Sequence, residues 1–124
     1  MKNILITGST GFIGSNLLKD LYLKNKIFII LRDKSQEINL VKNYKKIKII
    51  YYKEFDELNK KLKKLTIEVV IHCATHYVKN HTYKDIFKLN KSNILFGNII
   101  LENLKTMKTK KFINFSTVWE DYNS

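Results

Sequence analysis

Ile4-Leu5-Ile6-Thr7-Gly8-Ser9-Thr10-Gly11-Phe12-Ile13-Gly14 decides the fold. An apolar, β-branched run enters a turn that holds three of the chain's four glycines at three-residue spacing, and a helical pattern starts at once. Glycine permits positive φ in such a turn and lets backbone pass close to a ligand, because no Cβ stands in the way. The helix that opens there points free N–H groups and its positive end at whatever occupies the turn, which suits a pyrophosphate. A glycine triplet alone is weak evidence. The rest of the chain must supply a strand before it, a helix after it and repeated strand–helix units beyond.

The pattern continues in that way. Ile13, Leu17 and Leu21, with Leu18 beside them, predict one buried stripe on the first helix. Residues 26–31, Lys-Ile-Phe-Ile-Ile-Leu, read as a second strand that is apolar throughout, the mark of a strand covered on both faces. The polar, lysine-rich segment 33–45, anchored by Ile38, Leu40 and Val41, reads as a loop with a short helix. Residues 47–52 follow as a third strand. Phe55, Leu58, Leu62 and Leu65 recur at helical spacing and predict a helix over 54–65. Residues 67–73 read as a fourth strand, 83–106 as a long helix and 111–116 as a fifth strand. This alternation predicts an α/β fold: a Rossmann-like parallel sheet of about five strands in the order 3-2-1-4-5, with right-handed crossovers and flanking helices. Ligands of such sheets bind at the carboxyl ends of the strands, where the order reverses.

The 124 residues fit one domain, 1–124, large enough to bury a core. The net charge of +12 invites a nucleic-acid reading. Against it, Arg32 is the sole arginine, the lysines are spread over every helix face, and no basic motif is interleaved with aromatics. The expectation is therefore no nucleic-acid partner and a mild attraction to anionic ligands. No apolar run approaches the roughly 20 residues of a membrane span, and the N-terminal run is stopped early by glycine, so neither membrane nor signal peptide is expected. The single cysteine, Cys73, allows no internal disulfide and suits a reducing, cytoplasmic setting.

Four stretches together carry a resemblance. They are the form T-G-x-x-G-F-I-G at 7–14, Val70-Ile71-His72-Cys73-Ala74, Asn93 followed by Gly97, and Phe112-Ile113-Asn114-Phe115-Ser116-Thr117. In these the chain resembles the extended short-chain dehydrogenase/reductase family, also called the NAD-dependent epimerase/dehydratase family. The resemblance runs almost end to end, but over only the N-terminal part of a family member, truncated before the C-terminal substrate region. Ala74-Thr75-His76-Tyr77 and Ser116-Thr117-Val118-Trp119 look like the branch containing CDP-paratose and CDP-abequose synthases. The resemblance implies the NAD(P)-binding part of a nucleotide-sugar epimerase, dehydratase or reductase, an oxidoreductase-type enzyme of surface-polysaccharide biosynthesis. Its cofactor would lie along Gly8, Thr10, Gly11, Phe12, Ile13, Gly14, Arg32, Cys73, Ala74 and Thr75.

Individual residues sharpen these expectations. Arg32 follows the second strand where NAD-preferring members carry an acid, and a guanidinium there would meet a 2′-phosphate with a charge-assisted fork. NADP is the expected cofactor, with NAD as the alternative, although Asp33 stands one position late. Asn93 interrupts the predicted stripe Leu89, Phe96, Ile100, Leu104, and a buried amide needs a specific partner. The resemblance makes Asn93 an active-site asparagine; a structural bond to neighbouring backbone is the other reading. Thr117 matches the family's catalytic Ser/Thr, with Ser116 as the choice if the register slips by one and a local turn hydroxyl as the bland reading. His72, His76, His81 and Cys73 fall within ten residues, yet their spacing fits no compact zinc motif, so no metal is expected. A cluster near the substrate mouth, with Cys73 filling core, is the better reading.

The family's proton-transfer pair, Tyr-x-x-x-Lys, lies beyond the Ser/Thr, and no such pair follows Thr117 here. Tyr22/Lys26 and Tyr44/Lys48 have the spacing but lie upstream. The expectation is a catalytically incomplete chain that binds NADP(H) weakly at best and turns over nothing, leaving its standing as an enzyme open. A complete, non-catalytic dinucleotide-binding or sensing module is the alternative. The fragment reading predicts an exposed sheet edge at strand five and a tendency to aggregate.

Overall fold

Side-chain alternation along the strands gives the sheet two buried faces. The computed structural model describes residues 1–32, 34, 40, 42–76 and 78–115. In β1 (Asn3–Thr7) and β2 (Lys26–Leu31) every residue after the first is buried. Ile4, Ile6, Ile27, Ile29 and Leu31 join one apolar cluster with Leu18 and Ile71. Leu5, Phe28 and Ile30 join the other, with Leu58, Leu62, Val70, Phe96 and Ile100. The continuous apolar run of β2 thus divides residue by residue between two cores, as parallel sheets require. Each large side chain so buried contributes about 1.5–3 kcal/mol.

β3 (Lys48–Tyr51), β4 (Val69–His72) and β5 (Lys111–Asn114) complete a five-stranded sheet in the order β3-β2-β1-β4-β5, every pair parallel. The fold class and strand order follow the sequence. β2 has the predicted bounds, whereas β3 and β4 are shorter than the predicted runs 47–52 and 67–73, and Tyr52 and Cys73, which follow them, line the site instead.

The first helix departs from its predicted stripe at one end. In α1 (Phe12–Leu21), Leu18 is fully buried and Leu17 and Leu21 pack against the same cluster, but Ile13 is 43% exposed. It sits in the first turn, where the helix opens on a cavity instead of lying on the sheet. α2 (Phe55–Leu62) buries Leu58 and Leu62, and ends earlier than 65 in a turn closed by Leu65 N–H to the Leu62 carbonyl at 3.1 Å.

The long helix is not uniform. A 3₁₀ turn at Tyr83–Asp85, capped by reciprocal Thr82 and Asp85 bonds, leads into α3 (Ile86–Asn90). A π-helical turn follows at Lys91–Leu95, then α4 (Phe96–Glu102). A π turn inserts an extra residue into the winding, so the faces before and after it fall out of register. The predicted stripe is corrected accordingly. Phe96 and Ile100 are buried, Leu89 and Leu104 are half-buried, and Asn93 is exposed. The buried amide is Asn103, at 1% exposure, which donates to Asn59 Oδ1 at 2.8 Å and to the Ile99 carbonyl at 2.9 Å.

Candidate functional site

The carboxyl ends of the strands frame a cavity of about 480 Å³ beside the β1–α1 turn. Its walls are residues 8–14, Ile30 to Arg32 after β2, Tyr52 and Phe55 after β3, Cys73 to His76 after β4, and Lys91, Ser92 and Phe96 of the helical stretch. All ten residues that the sequence marked for a cofactor line this one space.

The glycines of the turn answer to different constraints. Gly8 has φ +69°, and a Cβ on it would stand 2.7 Å from Ala74 N and from the Cys73 carbonyl carbon. A Cβ on Gly14 would stand 2.0 Å from the Gly8 carbonyl oxygen, an impossible approach. Gly11 is exposed, donates its N–H to the Gly8 carbonyl at 3.0 Å, and would place a Cβ no nearer than 3.4 Å to anything but its chain neighbours. Two glycines are thus demanded by the turn's own packing, and Gly11 leaves its surface open on the cavity.

α1 begins at Gly11 with no side-chain cap and no acidic residue in its first turn. Its positive end is left for an anion from outside the helix. The contrast is α2, whose first turn carries Asp56 and Glu57. Within the turn, Ser9 is 2% exposed and its Oγ has no hydrogen-bond partner among the described residues, a costly state that a bound polar group relieves. These features fit a phosphate-bearing cofactor.

Arg32 also borders a second space of about 880 Å³, lined by Lys34, Tyr51, Tyr52, Lys53, Glu57 and Lys61 as well. Four cations face one carboxylate there. Lys61 takes up that carboxylate, pairing with Glu57 at 2.9 Å and holding it below the usual carboxylate range, and it donates to the Tyr51 carbonyl at 2.6 Å. Lys34 lies over the Tyr51 ring, 5.7 Å from its centroid. Burial pushes the Tyr52 hydroxyl up, while the Arg32 charge opposes that shift.

At the exit of β4, Thr7 Oγ1 lies 2.7 Å from His72 Nδ1 and accepts the Cys73 and Ala74 N–H groups at 3.1 and 3.2 Å. Burial holds the His72 imidazole below its ordinary value and pushes the Cys73 thiol up. Cys73 packs against the core of the α1 face.

Asn93 does not line the cavity. Its Oδ1 accepts the His76 N–H at 2.7 Å and the Thr75 hydroxyl at 3.2 Å, and its Nδ2 donates to the His76 carbonyl at 2.9 Å. The amide therefore ties the post-β4 loop to the π turn, and both residues it holds, Thr75 and His76, line the cavity. The histidine cluster disperses: His76 lines the cavity, His72 stands behind its wall in β4, and His81 is exposed. Among the described residues no group of three or more His, Cys, Asp and Glu is arranged to hold a metal ion. Tyr22 packs edge-on against Tyr44 at 5.0 Å, and each stands before a strand that begins at its lysine, so neither upstream Tyr/Lys pair shares a helix face. Thr117, Ser116, Asp33, Tyr77, Val118 and Trp119 lie outside the described residues.

Tyr52, Phe55, Lys91, Ser92 and Phe96 were not foreseen in the site. Tyr52 had a signal, since it ends the third apolar run as Arg32 follows the second. Lys91 and Ser92 had none, because the π turn that carries them breaks the 3.6-residue period.

A parallel sheet whose order reverses above a glycine turn and an uncapped helix start defines a doubly wound α/β domain of nucleotide-binding type. Residues 4–121 match the NAD dependent epimerase/dehydratase family, and the chain belongs to that family. The dTDP-D-glucose 4,6-dehydratase of Dictyostelium discoideum is 34% identical over 128 residues, covering 94% of this chain and 29% of that protein. The CDP-abequose synthase of Salmonella muenchen is 29% identical, covering 98% of this chain and 39% of that protein. Among solved structures, the Bordetella bronchiseptica enzyme WbmH in complex with NAD+ has the same fold, with a TM-score of 0.76 at 21% identity, over 95% of this chain and 40% of that one. The chain thus spans 29–40% of the length of these proteins. Among the described residues no helix is long and apolar enough to cross a membrane.

Proposed function

We propose that this chain is the nicotinamide-dinucleotide-binding part of an enzyme that remodels a nucleotide-linked sugar in the cytoplasm. One observation carries the reading: the ten residues marked by the sequence meet in a single cavity at the carboxyl end of the sheet, beneath an uncapped helix. Residues 8–14 would receive the pyrophosphate, and Cys73, Ala74 and Thr75 would bound the opposite wall. The bound nicotinamide would supply hydride transfer at a sugar carbon. Asn93 would hold the post-β4 loop in place for it, and Thr117 would hydrogen-bond the reacting oxygen. Both dTDP- and CDP-sugar enzymes stand among the relatives, which supports a nucleotide sugar as substrate.

NADP is the preferred cofactor. Arg32 opens on the cavity, and Lys34 and Lys53 extend its positive field over the adjoining space, where Lys61 neutralises Glu57. A 2′-phosphate placed beside Arg32 would gain a charge-assisted pair worth about a tenfold preference. Calorimetric titration of the 124-residue chain with NADPH and with NADH tests the proposal. Tighter binding of NADPH, with a raised melting temperature and no turnover of nucleotide sugars, is expected. Failure of both dinucleotides to bind and to shift the melt would overturn it.

A further inference from the structure

Thr7 closes β1 and is 1% exposed, with three polar neighbours around one hydroxyl. A hydroxyl has two lone pairs and one proton. The Cys73 and Ala74 amides claim the lone pairs, so the proton must go to the third neighbour, His72 Nδ1, at 2.7 Å. We propose that His72 is the positioning residue of the glycine turn: a neutral imidazole, protonated on Nε2, whose bare Nδ1 accepts the Thr7 hydroxyl proton and leaves that oxygen free to hold both amides. This rests on the dinucleotide function above, since the turn matters only if it holds a ligand.

The relay sets the spacing of two cavity walls. Gly8 follows Thr7 directly, and its Cα lies so close to the β4 exit that an added Cβ would stand 2.7 Å from Ala74 N. Cys73 N–H also reaches the Thr7 carbonyl at 3.2 Å, so the hydroxyl is the hold that reaches one residue further, to Ala74. The imidazole itself is fixed between Phe96 at 5.9 Å and Phe112 at 6.1 Å. Its Nε2 edge faces Gly97, where a Cβ would come within 3.4 Å. The groups that meet the ring are thus Thr7 of β1, Phe96 and Gly97 of α4, and Phe112 of β5. None of these is charged, and burial alone shifts its titration. A second proton, on Nδ1, would set N–H against O–H. The hydroxyl would then turn away and release an amide, loosening the turn.

The test uses the 124-residue chain. Long-range ¹H–¹⁵N spectra report the His72 tautomer, hydrogen exchange reports the Ala74 amide, and calorimetry reports NADPH affinity in the wild type, Thr7→Ser, Thr7→Val and His72→Phe. The expected results are an Nε2–H imidazole at neutral pH and an Ala74 protection factor that falls about tenfold as His72 protonates. Thr7→Val should lose that protection at every pH and Thr7→Ser keep it, while His72→Phe weakens NADPH about tenfold. An Nδ1–H tautomer, or Ala74 protection indifferent to the state of His72, would overturn the relay. If the tautomer and the pH-linked protection are present but the wild type binds no NADPH, the relay stands and the dinucleotide function falls.

Discussion

Gly14 has no room for a methyl group, and Gly11 has. The 2.0 Å approach from a Gly14 Cβ to the Gly8 carbonyl cannot be relieved by a side-chain rotation, since both partners are backbone. Gly14→Ala should therefore destabilise the fold by about 2–4 kcal/mol, read from urea melts. Gly11→Ala meets only a 3.4 Å contact and should leave stability within about 1 kcal/mol while weakening NADPH, because the new methyl group projects into the space the ligand needs. Equal losses of stability in the two variants would contradict this division. At the other end of the site, Arg32→Ala should reduce the preference for NADPH over NADH by about tenfold and leave NADH affinity nearly unchanged. A parallel loss of both would mean that Arg32 does not meet the 2′-phosphate.

The helical stretch 83–102 shows how one irregular turn moves a functional element. The π turn at Lys91–Leu95 breaks the apolar register, takes Asn93 out of the stripe and presents its amide to Thr75 and His76. Asn93→Ala removes three bonds that join two elements, at a cost of about 1–2 kcal/mol, and should speed amide exchange at His76. Exchange at His76 unchanged by that substitution would rule out the clamp. Asn103 is the stronger structural residue, since its buried amide bridges α2 and α4 through Asn59 and Ile99.

At the scale of the whole molecule, burial of His72 links stability to pH. Its folded-state value lies below 6.5, so the unfolded chain binds more protons in the window beneath 6.5. The His72 contribution is then fully present above 6.5 and is lost as the pH falls through that window. Urea melts across it should show stability falling with acid, and a flatter profile in His72→Phe. The sheet also has an edge: among the described residues β5 ends the strand order, and Ile113 and Phe115 are 39% and 43% exposed. An apolar edge of this kind templates association. Sedimentation velocity should show concentration-dependent self-association that Ile113→Lys reduces.

The sheet, its order and the cavity's main walls are legible in the sequence, because these depend on local signals. Unbroken apolar runs in β1 and β2, glycine where backbone packs on backbone, and a single arginine at a strand end are each legible within a few residues. The tertiary structure alone decided what depends on winding and on contacts far apart in the chain. The π turn has no signature in a 3.6-residue pattern, so Asn93 read as buried and Asn103 was missed. The Thr7–His72 bond joins residues 65 apart, and only the parallel register of β1 with β4 brings them together.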